Sequence, residues 1–247
     1  MGGFRLIPKH FLLMRFLSLN IYMGFDFPVG EFCLSSLSTL IIESNIYRDF
    51  SFEQWSLPSL RHLQIGNIIG GTDLQRLVPN LAILGRQLRV LNITLDRSGG
   101  ERVDKRYINE HDYQLMSKFW DYFPHLESLR FPLSIIISHV PPRDHPIRYL
   151  INSEAKPAHH NWPTPAIDVI SAYTDALIAF CLATPGLVTV RESHNWTSGM
   201  PSAKDVGVML PELSDTFRDM GEVDRQLRVN NIKIRFEDVN GKTLGES

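Results

Sequence analysis

Leu60-Arg61-His62-Leu63-Gln64-Ile65 is the stretch that decides how this sequence reads. In an extended segment side chains alternate between two faces, so Leu63 and Ile65 share one face while His62 and Gln64 share the other. Leu60 turns the chain inward, into the same apolar layer. The spacing recurs in Leu88-Arg89-Val90-Leu91-Asn92-Ile93, in Leu37-Ser38-Thr39-Leu40-Ile41-Ile42, and in Leu126-Glu127-Ser128-Leu129-Arg130-Phe131, where an aromatic closes the unit. Phe16-Leu17-Ser18-Leu19-Asn20-Ile21 is a copy with an aromatic opening, and Leu187-Val188-Thr189-Val190-Arg191-Glu192 a degenerate one that ends on a carboxylate.

The middle apolar positions, 19, 40, 63, 91, 129 and 190, are separated by 21, 23, 28, 38 and 61 residues. The first three gaps fall in or near the roughly 20–29-residue period of leucine-rich repeats, and the later ones require insertions. Between the strands the chain must return over the other side of the sheet. Thr72 and Gln75 make a capping box for a short helix through Leu77, which Pro79 should break, and Gly85 suits a left-handed stop before the next strand. Asn109 caps a second helix, with Tyr113, Met116, Phe119 or Trp120, and Phe123 as its apolar stripe. Thr164-Pro165 opens a third, with Ile167, Ile170, Leu177, Ile178 and Cys181 facing inward. Strand–helix alternation with short turns implies an α/β fold with a parallel sheet. The expected architecture is a short, irregular leucine-rich-repeat-like solenoid over residues 1–247, one domain, with helices or loops on the convex side.

Two stretches depart from the pattern. Residues 134–163, rich in Pro and His, read as an insert loop. Residues 202–247 read as a capping region, with helical pattern around Leu213, Phe217 and Met220. A strand Ile232–Phe236 follows, and then an Asn240-Gly241 hairpin signal.

Phrases such as Leu57-Pro58-Ser59-Leu60-Arg61-His62-Leu63-Gln64-Ile65 and Phe123-Pro124-His125-Leu126-Glu127-Ser128-Leu129-Arg130-Phe131 resemble the irregular repeats of fungal F-box/leucine-rich-repeat proteins. The resemblance covers residues 12–133 and, more loosely, 164–192. It implies a substrate-receptor role, in which an F-box docks on a Skp1-type adaptor and the repeats hold a target for ubiquitylation. No F-box is expected here, because the first strand begins at Phe16. The chain then reads as a repeat-only relative or as a piece of a longer receptor, and the adaptor contact maps to no residue.

Composition narrows the function classes. Lys and Arg number 25 against 27 Asp and Glu, a net charge of −2, which lacks the cationic surplus of a sequence-independent nucleic-acid binder. Two cysteines cannot staple a secreted scaffold of 247 residues and fit a reducing compartment, cytoplasmic or nuclear. The apolar stretch 11–27 is interrupted by Arg15 and is too short for a membrane span. His139, His145, His159 and His160, with Asp144 or Glu154, form one alternative reading, a metal-dependent hydrolase built on the insert; an incomplete fragment without autonomous function is the other. Adjacent histidines in an extended segment point apart, and zinc sites favour tighter pairs, so a solvated loop is the expectation. Gly70-Gly71-Thr72 lacks the Lys and the spacing of a phosphate cradle. Cys181, on an apolar stripe, reads as an inert core thiol.

No catalytic residue, metal or cofactor is therefore expected, and the function reads as non-enzymatic protein binding. The candidate residues are those that point outward from the strands: Tyr22, His62, Gln64, Asn92, Arg130 and Arg191. Tyr and Arg head that set because protein-binding hot spots favour them.

Overall fold

A computed structural model describes residues 13–21, 32–44, 52–68, 71–95, 116–153, 166–191, 223–238, 240, 241 and 243. Its strands are β1 (Phe16–Ile21), β2 (Phe32–Cys33), β3 (Thr39–Ser44), β4 (Trp55–Ser56), β5 (His62–Ile68), β6 (Val90–Leu95), β7 (Ser128–Phe131), β8 (Tyr149–Asn152), β9 (Thr189–Arg191) and β10 (Arg235–Glu237). Its helices are α1 (Gly71–Gly85), α2 (Phe119–Tyr122), α3 (Leu133–Ile136) and α4 (Ala166–Ala183), with residues 223–229 also helical. The protein is α/β, with an open parallel sheet of eight strands in the order β1-β3-β5-β6-β7-β8-β9-β10 and a small parallel pair β2-β4. The chain divides into two compact units, Met1–Arg130 and Phe131–Ser247.

In the first unit the strands pair so that their apolar positions coincide. Leu40 stands beside Leu63, Leu63 beside Leu91, and Leu91 beside Leu129; Ile42, Ile65 and Ile93 form the next rank. Every one of these side chains is buried, as are Leu37, Leu60, Leu88 and Leu126 ahead of the strands. The same turn brings the chain to each rank. The N–H groups of Leu37, Leu60, Leu88 and Leu126 donate to the carbonyls of Leu34, Leu57, Gly85 and Phe123, three residues back, at 3.1–3.3 Å. Pro58 and Pro124 occupy the second position of two of these turns, where a fixed φ near −65° is required anyway. This is the physical content of the Leu-Pro-x-Leu phrase: a buried residue, a prefolded turn and a second buried residue.

Several expectations are corrected. The register of β1 sets Leu17 beside Leu40 and Leu19 beside Ile42, so the middle residue of the first copy is Leu17, two positions earlier than its spacing implied. Phe16 consequently lies on the outward face. Pro79 does not end its helix, because α1 runs through it to Gly85. Pro79 is exposed, and the face carrying Leu74, Leu77, Val78, Leu81 and Leu84 is buried throughout. Burying Leu81 and Leu84 is worth roughly 1.5–3 kcal/mol each, enough to offset the lost hydrogen bond. Thr72 falls inside α1 rather than ahead of it. Gly85 is not left-handed. It is required instead by close approach, since a Cβ there would lie 1.9 Å from the Tyr122 carbonyl oxygen. Of the second helix, Met116, Phe119, Trp120 and Phe123 are buried as expected, while Asn109 and Tyr113 lie outside the described residues.

The second unit reuses the turn once more, Leu187 N–H donating to Thr184 O at 3.1 Å with Pro185 in second place. Leu177, Ile178, Phe180 and Cys181 of α4 are buried, and Thr164 and Pro165 lie outside the described residues. The reading of 134–163 as an insert loop is amended: its described part holds α3 and the sheet strand β8. Ile147-Arg148-Tyr149-Leu150-Ile151-Asn152 carries the familiar spacing, but a buried Asn152 stands where an isoleucine stands in β3, β5 and β6. Its Oδ1 accepts the Leu133 N–H at 3.4 Å. The 61-residue gap between middle positions 129 and 190 thus divides at Leu150, which stands beside Val190.

Of the C-terminal region, Leu213, Phe217 and Met220 lie outside the described residues. The last strand occupies Arg235–Glu237, later than the alternation of Ile232, Ile234 and Phe236 suggests. Gly241 adopts φ +80° and donates its N–H to Asp238 O at 2.9 Å, and Thr243 makes an antiparallel bridge with Glu237. The Asn240-Gly241 signal therefore marks a turn that folds the chain back along the β10 edge.

Candidate protein-binding face

In the first unit the outward side chains of the strands stand in cross-strand ranks fixed by the parallel register. Phe16, Thr39, His62, Val90 and Ser128 form the first rank. Ser18, Ile41, Gln64, Asn92 and Arg130 form the second, and Asn20, Glu43 and Gly66 the third. Neighbouring strands lie about 4.8 Å apart, so a rank is a closely spaced row across the sheet. Four of the six candidates, His62, Gln64, Asn92 and Arg130, belong to these rows. His62 is exposed and the other three are half-buried.

The chemistry of the face is mixed and weakly charged. Gln64 and Asn92 place donors and acceptors side by side, Glu43 and Arg130 offset one another in formal charge, and Ile41 and Val90 supply apolar area. The Arg130 Nε is enclosed and has no hydrogen-bond partner among the described residues. Phe16 was not among the candidates, since its sequence reads as the apolar opening of a strand. The structure leaves it 57% exposed at one end of the first rank. The signal that would have found it is parity: Phe16, Ser18 and Asn20 alternate against Leu17 and Leu19, and only one of the two sets can face inward.

The remaining two candidates are placed otherwise. Tyr22 lies outside the described residues. Arg191, in the second unit, is committed to a neighbouring strand. Its Nε and Nη2 donate to the same Glu237 Oε2 at 3.0 and 2.6 Å, and Arg235 Nη1 lies 3.4 Å from the other carboxylate oxygen. Glu237 is buried despite facing outward, and the pair holds β9 to β10.

Of the histidines of the amended insert, His145 serves the fold. His145 is buried, and its Nδ1 accepts the Ile147 N–H at 3.2 Å. That amide is the one which, before β3, β5, β6, β7 and β9, donates to a carbonyl three residues back, so the imidazole replaces the main-chain acceptor of the turn. A ring nitrogen that accepts an amide proton keeps its lone pair occupied and is withdrawn from metal ligation. Burial lowers the pKa of His139 from its ordinary 6.5. His159, His160 and Glu154 lie outside the described residues, and among those described no three His, Cys, Asp or Glu side chains gather as metal ligands do. Burial pushes the Cys181 thiol up to about 12, as a core thiol requires. Among the described residues no helix is long and apolar enough to cross a membrane. The chain matches no protein-family model, no curated protein and no solved structure.

Proposed function

We propose that this chain is a non-enzymatic protein-binding module, a short and irregular leucine-rich-repeat-like solenoid. The outward sheet face of its first unit, centred on His62, Gln64 and Asn92, holds the partner. The observation that carries this reading is the contrast between the two faces of the same strands. The inward ranks are buried leucines and isoleucines in register, while the outward ranks keep polar groups and the exposed Phe16 accessible. A row of neutral hydrogen-bonding side chains beside an exposed aromatic suits a protein surface, where a few aromatic and Arg contacts supply most of the binding energy.

The finer reading rests on the resemblance of the Leu-Pro-x-Leu units to fungal F-box/leucine-rich-repeat proteins. On that reading the module recognises the target in a ubiquitin-ligase substrate receptor, working in a cytoplasmic or nuclear compartment. Co-purification of a Skp1-type adaptor with the full gene product tests it.

The partner reading is tested by affinity capture with the protein and with the His62→Ala/Gln64→Ala/Asn92→Ala variant, followed by quantitative mass spectrometry. All three positions lie outside the apolar core, so the variant should keep the circular dichroism of the parent. The expected result is a protein retained by the parent and depleted about tenfold or more on the variant, a loss of about 1.4 kcal/mol. Identical retention on both sinks the proposal.

A further inference from the structure

One level before the outward rows, the first unit carries an uneven distribution of charge. The strand register places Arg15, Ser38, Arg61, Arg89 and Glu127 side by side, immediately ahead of β1, β3, β5, β6 and β7. The alignment is held by main chain. The carbonyls of Arg15, Ser38, Arg61 and Arg89 each accept two N–H groups from the start of the next strand, at 2.8–3.0 Å. Arg86, in the turn from Gly85 to Leu88, is exposed close by in sequence.

Within this edge one pair is already neutral, since Arg89 Nη1 meets Glu127 Oε1 at 3.0 Å. Among the described residues Arg15, Arg61 and Arg86 meet no carboxylate. Arg61 is also held in place: its Nη1 donates to Leu60 O at 2.9 Å and to Pro58 O at 3.3 Å, so part of the ordering cost of a guanidinium contact is met before a partner arrives. Two guanidiniums on this edge, Arg15 and Arg61, with the exposed Arg86 near it in sequence, meet no carboxylate among the described residues of a chain whose net charge is −2.

We infer that this arginine edge receives an acidic segment of the protein partner, with carboxylates meeting Arg15, Arg61 and Arg86 while neutral residues lie along the adjoining face. The inference rests on the protein-binding reading of that face and names the chemistry of its partner. Guanidinium–carboxylate pairs are directional and can be bidentate, which fixes the partner's register as well as attracting it. A protein segment fits better than a polyphosphate. Glu127 stands at the end of the edge and Glu43 on the adjoining outward face, and a peptide can place neutral residues opposite them where a nucleic-acid strand cannot.

The experiment measures fluorescence anisotropy of a labelled oligoglutamate peptide. It is titrated with the intact protein and with the Arg15→Gln/Arg61→Gln/Arg86→Gln variant, beside oligolysine and oligothymidine of equal length. The expected result is binding of oligoglutamate that weakens about tenfold on the variant, falls steeply with salt, and has no counterpart with oligolysine. The inference is overturned if oligoglutamate does not bind, if the arginine variant binds it equally, or if oligothymidine binds more tightly through the same arginines. A captured protein lost on the His62/Gln64/Asn92 variant but unaffected by the arginine variant overturns this inference alone and leaves the protein-binding reading standing.

Discussion

Gly85→Ala is the substitution on which the packing of the first unit can be tested most sharply. The added Cβ would lie 1.9 Å from the Tyr122 carbonyl oxygen, 2.9 Å from its carbon and 3.1 Å from Phe123 Cδ1. The obstructing atoms are main chain at the end of α2, so no rotamer change relieves the clash. The end of α1 and the buried Phe123 must separate by about an ångström, and overpacking on this scale costs roughly 1–3 kcal/mol or more. Against this, alanine gains roughly 0.5–1 kcal/mol over glycine in a helix. A net loss of about 2 kcal/mol is expected, because the clash involves an atom that cannot turn away. With a urea dependence of about 1–3 kcal/mol per molar, the unfolding midpoint followed by far-ultraviolet circular dichroism should fall by about 1 M. Gly186→Ala is the control. Its Cβ would meet only Ile147 O at 3.4 Å and His145 O at 3.7 Å, and the midpoint should barely move. If Gly85→Ala matches the parent or exceeds it, the α1–α2 contact is misplaced and the reasoning fails.

Three further outcomes follow from the same structure. Leu63→Ala removes a buried side chain from the inward rank and should cost about 2–5 kcal/mol by urea unfolding, whereas Gln64→Ala, one residue on and outward, should stay within about 0.5 kcal/mol. Arg191→Ala leaves the Glu237 carboxylate buried with Arg235 alone. A loss of about 1–3 kcal/mol is expected, below the range for a fully buried pair because Arg191 is 40% exposed, and adding Glu237→Gln should recover part of it in a double-mutant cycle. In a thiol titration with an aromatic disulfide, exposed Cys33 should react in the native protein. Cys181, its pKa raised to about 12, should react only on unfolding, and prompt modification of both would contradict its burial.

Most of the inward layer was legible in the sequence because a period of two leaves little freedom once a strand has one buried face. Leu40, Leu63, Leu91 and Leu129 needed no structure to be aligned. What the sequence hid has specific causes. The copy at Phe16–Ile21 offers apolar residues at 16, 17, 19 and 21, and frames two residues apart share the same parity, so only pairing with β3 chooses between them. Strand β8 was concealed by Asn152, a polar residue that is tolerated inside because its amide oxygen accepts a main-chain N–H. Pro79 and Gly85 obey tertiary packing rather than local propensity, as the buried face of α1 and the Tyr122 carbonyl show. Alternation alone placed His62, Gln64, Asn92 and Arg130 on the outward face, where the register sets them. The ion pair that engages Arg191 was hidden because its carboxylate partner is 46 residues away in the chain, beyond the reach of any local pattern.

The measurement that bears most directly on the protein-binding face is site-specific photo-crosslinking. A photoreactive side chain is introduced at Asn92, on the outward row, and in a separate protein at Ile83, an exposed position on α1. The expected result is a discrete crosslinked protein from position 92 that the Ile83 derivative does not produce. Equal products from both positions, or a discrete product from 83 alone, would contradict the assignment of that face.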